Sequence, residues 1–174
     1  MTAMYTLRKG GSYDRFIMML EAFLERQCEV HCLSLRPISF NHPCYHNHLA
    51  NFPFKKANGR LAKLMVLLLF PLHSLLVGWL EKIDLFVAFG PLYAFIQAIP
   101  KLILRRPMIT LVRLEPSFGL RTQGSPKPLL CLNRLVEYVG LLFSDRVVAV
   151  NMDIIDRIVS VIGKWKKIET EVLF

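Results

Sequence analysis

The sequence has no paired-cysteine motif, no apolar run of signal-peptide length in its first residues and a shortage of acid. Its four cysteines, Cys28, Cys32, Cys44 and Cys131, form no Cys-x-x-Cys pair. That pattern points to reduced thiols in a cytoplasmic chain and away from a disulfide framework. Met1 to Leu7 contains no apolar core of signal-peptide length, so secretion is not indicated. The dinucleotide fingerprint Gly-x-Gly-x-x-Gly is absent, as is the Gly-x-Ser-x-Gly elbow of hydrolases. There are no internal repeats, low-complexity tracts or linkers. Thirteen acidic residues stand against 22 basic ones, a net charge of +9. Such an excess suits nucleic acid, an anionic membrane surface or phosphorylated ligands. The five tyrosines and two tryptophans are not interleaved with the basic residues as a base-stacking platform requires, which argues against nucleic acid. Apolar content is 53%, against roughly 45–50% (glycine included) for ordinary soluble domains. Basic and apolar together favour a membrane surface.

What is present is organised around residues 83–113. Ile83 to Phe89 is an apolar run that stops at Gly90-Pro91. Leu92 to Leu104 is long enough for a helix, though Pro100 should kink or end it. Met108 to Val112 is a second apolar run, stopped by Arg113 and Glu115. Run, helix, run is the pattern of a βαβ unit with strands buried on both faces. Ligands of open parallel sheets bind beyond the carboxyl ends of the strands. That places Gly90, Arg113 and Glu115 at the functional rim. The alternative reading is that Arg113 and Glu115 pair with each other at the sheet rim.

The chain before this unit opens with a stunted strand over Met4 to Leu7 and a glycine turn at Gly10-Gly11. Ser12 can cap a helix whose apolar stripe is Phe16, Met19, Leu20, Phe23 and Leu24. A strand follows over Glu29 to Leu35, with Val30, Cys32 and Leu35 pointing inward and His31 as a structural histidine. Glycines at a strand-to-helix corner let backbone approach an anion closely. Residues 36–58 read as irregular. Cys44, His46 and His48 are metal ligands by type, but alternate positions in one short loop make a poor tetrahedron, and the expectation is no metal. Lys55, Lys56, Arg60 and Lys63 then lead into Leu64 to Leu80, seventeen residues without charge. Interrupted by Pro71, His73, Ser74 and Gly78, this stretch suits a buried or interfacial helix better than a membrane span of about 20 residues. Its basic lead-in suits anionic headgroups.

After the central unit, residues 114–128 form a candidate functional loop rich in proline and glycine. Leu129 to Phe143 reads as an apolar helix, broken by Ser144-Asp145. Arg146 to Val150 is a further strand. Asn151 can cap a helix over Met152 to Ile162 that Gly163 closes, and it is a second candidate cleft residue. Ile168, Thr170 and Val172 begin one more strand.

In this order the elements resemble the N-terminal domain of a GT-B glycosyltransferase of the retaining family 4 type. Four stretches carry the resemblance. Gly10-Gly11-Ser12-Tyr13-Asp14-Arg15-Phe16, with the helix and Cys28 to Ser34 after it, is similar to the family's opening glycine loop, helix and strand. Ile83 to Gly90 and Pro107 to Glu115 resemble two following strands. Ser144-Asp145-Arg146-Val147-Val148-Ala149-Val150-Asn151 is similar to the family's Ala-Asp-x-Val-Val-Ala-Val-Ser segment. The resemblance implies an α/β, Rossmann-like parallel sheet flanked by helices, over residues 1–174 as one domain. It implies binding of a glycan or lipid-linked acceptor, with Gly10 and Gly11 facing the donor phosphate, at the inner membrane face. It implies no metal or cofactor. A C-terminal donor-binding half is missing, which suggests a truncated module, inactive alone and able to use a nucleotide sugar only with that half. Where many relatives have a histidine, this chain has Arg113. The alternative function is a non-catalytic subunit that anchors a separately encoded catalytic partner at the membrane.

Overall fold

The computed structural model describes residues 2–4, 11–34, 37–38, 40–50, 60–113, 124 and 126–172. The chain divides into two compact units, Met1–Ile83 and Asp84–Phe174. Both are built from parallel strands and helices, so the fold is α/β and Rossmann-like, as the alternation of apolar runs and helical stripes implies.

The first unit contains β1 (Thr2–Met4), α1 (Gly11–Glu25), β2 (Val30–Ser34), β3 (Tyr45–Leu49) and α2 (Arg60–Leu80). β2 lies between β1 and β3 and pairs in parallel with both. Every residue of β2 is buried, which is why its sequence runs on without clean alternation. α1 buries Phe16, Leu20 and Leu24, one residue per turn along one face, while Asp14 and Arg15 face solvent. The helix begins at Gly11, so Ser12 lies inside it and is not its cap. The first strand ends at Met4, ahead of the expected span, and residues 5–7 lie outside the described part.

The largest departure from expectation is β3. Tyr45-His46-Asn47-His48-Leu49 is a strand, not irregular chain. Its register against β2 sets His31 beside His46 and Leu33 beside His48. α2 starts at Arg60, earlier than Leu64, and runs through Pro71.

The second unit contains β4 (Phe86–Ala88), α3 (Pro91–Leu104), β5 (Met108–Val112), α4 (Lys127–Phe143), β6 (Arg146–Ala149), α5 (Met152–Ile162) and β7 (Glu169–Val172). Its strands pair in parallel in the order β4-β5-β6-β7. α5 buries Ile154, Ile155, Ile158 and Ile162 against Val112, Leu141, Val147 and Ala149. Each of these isoleucines contributes about 1.5–3 kcal/mol by leaving water. In β5, Met108, Thr110 and Val112 are buried, while Ile109 and Leu111 are half-buried, so one face is more covered than the other.

One local expectation fails here, and one holds in another geometry. α3 does not end at Pro100; it continues to Leu104 and closes at Arg105, whose left-handed φ of 53° lets its N–H donate to the Lys101 carbonyl. Pro100 is buried, and tertiary packing outweighs the proline's local penalty. Gly163 does close α5, but with right-handed φ −58°, so it is not the left-handed glycine stop. α3 and α4 cross closely at Gly140. A Cβ there would meet the Phe95 nitrogen and the Pro91 oxygen, each at 2.5 Å.

Candidate functional site

Because β4, β5 and β6 are parallel and paired in register, their carboxyl ends share one edge. Three sequence-predicted site residues fall on it. Gly90 follows β4 with φ 126° and ψ 157°, a conformation open in practice only to glycine. It precedes Pro91 and opens α3 without a side-chain cap, so the positive end of that helix faces the edge. Arg113 follows β5, with its guanidinium carbon 5.4 Å from the centroid of the Phe89 ring. That places the cation over the face of the ring. Asn151 follows β6, and its Oδ1 accepts from the Ile154 N–H at 3.0 Å, so the residue caps α5 and is exposed. A guanidinium, a helix N-terminus and a side-chain amide can hold a phosphate, carboxylate or sugar hydroxyl. None of the three can act as a base.

The other expected residues lie in the first unit or outside the described part. Gly11 is the first residue of α1, in the first unit. Arg60 and Lys63 lie in the first turn of α2. Gly10, Lys55, Lys56 and Glu115 lie outside the described residues, as does most of the loop 114–128.

The Ser144-Asp145 step has a structural role. The Asp145 Oδ2 accepts from the Met108 N–H at 2.8 Å, and the Asp145 N–H donates back to the Met108 carbonyl at 2.9 Å. Lys101 Nζ donates to Oδ1 at 2.9 Å. Burial pushes this carboxyl up, but the Lys101 bond, the Met108 amide and the Lys166 charge outweigh it and hold it below the usual carboxylate range. The Ser144 and Thr110 hydroxyls share a buried hydrogen bond of 2.6 Å. This segment therefore locks β6 to β5.

The site that the sequence does not announce lies near the amino ends of β2 and β3. Side chains alternate along a strand, so His46 and His48 share a face of β3. The His31 ring stacks on His46 at 4.8 Å and on His48 at 5.2 Å. His31 Nδ1 is 2.9 Å from His48 Nε2. The Glu29 Oε1 is 3.5 Å from His31 Nε2 and 3.0 Å from His46 Nε2. Glu81 approaches the His31–His48 side. Burial, then the neighbouring His46, lowers the His31 pKa below that of an ordinary histidine. Among the types able to bind metal, Cys44 belongs to neither cluster, and Cys32 is an inert buried thiol whose pKa burial pushes up to about 12. The available signal was the His-x-His spacing, which is a poor loop site and a good strand site.

α2 leaves Leu68, Leu72, Leu76, Trp79 and Leu80 exposed, positions that recur every three or four residues along one face. No helix among the described residues is long and apolar enough to cross a membrane. Comparison with protein-family models and with curated proteins finds no match to this chain.

Proposed function

We propose that this chain is the acceptor-side half of a GT-B glycosyltransferase, acting on a lipid-linked or glycan acceptor with a nucleotide-sugar donor held by a second, donor-binding half. The observation that supports this reading best is the shared strand edge of Gly90, Arg113 and Asn151. Arg113 there holds the phosphate or carboxylate of the acceptor, and Gly90 lets the backbone come close to it. In this reading catalysis is positioning, with the donor's departing phosphate stabilised from the Gly10-Gly11 side. The chain lies peripherally on the inner membrane face, with the exposed stripe of α2 in the headgroup region.

The test is binding of a short-chain prenyl-diphosphate sugar in detergent micelles. Arg113→Ala should weaken it about 10–100-fold, the loss of one charge-assisted contact. Undiminished binding by Arg113→Ala would overturn the reading. The second reading, a membrane-anchoring subunit for a separate catalytic partner, rests on the α2 stripe. Vesicle binding that is lost in Leu72→Glu and Leu76→Glu, without any acceptor binding, would favour it.

A further inference from the structure

We infer that Glu29, His31 and His46 form a binding site for one zinc-type divalent transition-metal ion, which clips β2 to β3 in the first unit. The geometry fits the ion. Ligands on a tetrahedral zinc with bonds of about 2.0–2.1 Å lie roughly 3.3 Å from one another. Glu29 Oε1 is 3.5 Å from His31 Nε2 and 3.0 Å from His46 Nε2, on either side of that value. All three ligand atoms lie within 4.8 Å of one another. Two imidazoles and a carboxylate are a donor set for zinc and its neighbours in the transition series, not for magnesium or calcium.

Contact with a third histidine gives the cluster its direction. His48 Nε2 lies 2.9 Å from His31 Nδ1. Either nitrogen of His31 can carry its proton; with the proton on Nδ1 and donated to His48, the lone pair of His31 Nε2 faces the Glu29 carboxylate and is open to a cation. Two acceptors facing each other repel unless a cation stands between them. A metal ion satisfies both and also takes the lone pair of His46. His48 thereby acts as the partner that fixes the tautomer and orientation of a metal-bound histidine. The stacked arrangement of the rings already holds His31 and His46 in place. The Glu29 and His46 side chains are 66% and 43% exposed, so an ion can enter from solvent and keep a water as its fourth ligand. The cluster lies near the amino ends of its strands, whereas ligands of open parallel sheets bind beyond the carboxyl ends. The ion's role is therefore to tie two strands together, and it does not depend on the sugar-transfer reading.

The experiment uses the full chain, stripped with a chelator and then titrated with zinc chloride and, separately, with cobalt(II). One zinc should bind per chain and raise the thermal midpoint. Cobalt should give visible bands of a nitrogen and oxygen site, without the near-ultraviolet charge-transfer band of a thiolate. Glu29→Gln and His46→Ala change exposed side chains, so both should fold. Each should lose about a hundredfold or more in zinc affinity, and His48→Ala about 10–100-fold. Failure to bind zinc would overturn the site. So would zinc binding that survives both Glu29→Gln and His46→Ala, or a thiolate band from Cys28 or Cys44. Binding lost in Glu81→Gln and kept in Glu29→Gln would move the ion to the other side of His31 and equally sink this assignment.

Discussion

Near the start of β5 and β6, in the second unit, the polar groups bond to one another. Thr110 pairs with Ser144, and Asp145 pairs with the Met108 amide. At the matching place in the first unit, the start of β2 and β3, stand stacked imidazoles and a carboxylate. Hydroxyls and a carboxylate–amide pair carry all the protons and lone pairs they need. Imidazoles facing a carboxylate can change what they carry: each ring can give up its Nε2 proton and offer that lone pair to a cation. The second junction is closed by its own chemistry, and the first is open to what the solution contains. A stability measurement on the second unit should therefore ignore zinc, while hydrogen exchange in β2 and β3 should slow with it.

The largest way to break the comparison is at Gly140, where the second unit is most tightly closed. Replacing an ordinary helical glycine by alanine gains up to about 1 kcal/mol. Here the new methyl would overlap backbone atoms of α3, the Phe95 nitrogen and the Pro91 oxygen, and backbone cannot rotate aside. Gly140→Ala should cost about 3 kcal/mol, the upper part of the overpacking range, seen as a lower urea midpoint. A higher midpoint would show that α3 and α4 do not cross so closely.

Asp145 comes next. Asp145→Ala leaves the buried Met108 N–H without its acceptor, at about 1–3 kcal/mol. The Lys101 pair adds little beyond that, because the carboxylate is 45% exposed and screened. Its pKa is lowered in the fold, so its contribution is complete above the unfolded value of about 3.9 and is lost as pH falls through the lower folded value. The gap between parent and variant should hold at neutral pH and narrow in strong acid. A gap that stays constant in acid would mean that the charge contributes nothing.

Much of the second unit was legible because its signals are local. Apolar periodicity marks α5, Asn151 caps it as expected, and parallel pairing brings Gly90, Arg113 and Asn151 to one edge. The resemblance motif around Ser144-Asp145 reads differently against the structure. Its polar residues secure β6 to β5, so it speaks for a fold and not for a chemistry. β3 escaped because Tyr45 to Leu49 has apolar residues only at its ends, and its strand character comes from β2 beside it. The Glu29, His31 and His46 cluster escaped for the same reason: it is assembled across two strands, and no local spacing contains it. Pro100 misled in the opposite direction, since a strong local rule was overridden by burial.

Gln97 is an exception among the described residues of the second unit. It is fully buried, and among the described residues neither of its amide atoms has a hydrogen-bond partner. Gln97→Met keeps the shape and removes the unpaired dipole, so it should raise stability by about 1 kcal/mol. A loss instead would mean that the amide is engaged in the folded protein.

The smallest effect should come from the neighbour of Asp145. Arg146 donates from Nε and Nη2 to the Glu169 Oε2 at 3.1 and 2.8 Å, and it lies 3.6 Å from Glu171. Arg146 and Glu169 stand side by side in the β6–β7 register. By distance alone this pair matches the Asp145 contacts. Its setting differs: the side chains of Arg146, Glu169 and Glu171 are 49%, 73% and 62% exposed. Water competes for every one of these bonds, salt screens the charges, and fixing three long side chains costs entropy. Arg146→Ala should leave the urea midpoint unchanged within error, at low salt and at high salt alike. Two adjacent residues with bonds of equal length would then differ in effect because only Asp145 holds a buried amide. A large loss in Arg146→Ala would instead make the exposed edge, and not the buried junction, the fastening of β7 to its sheet.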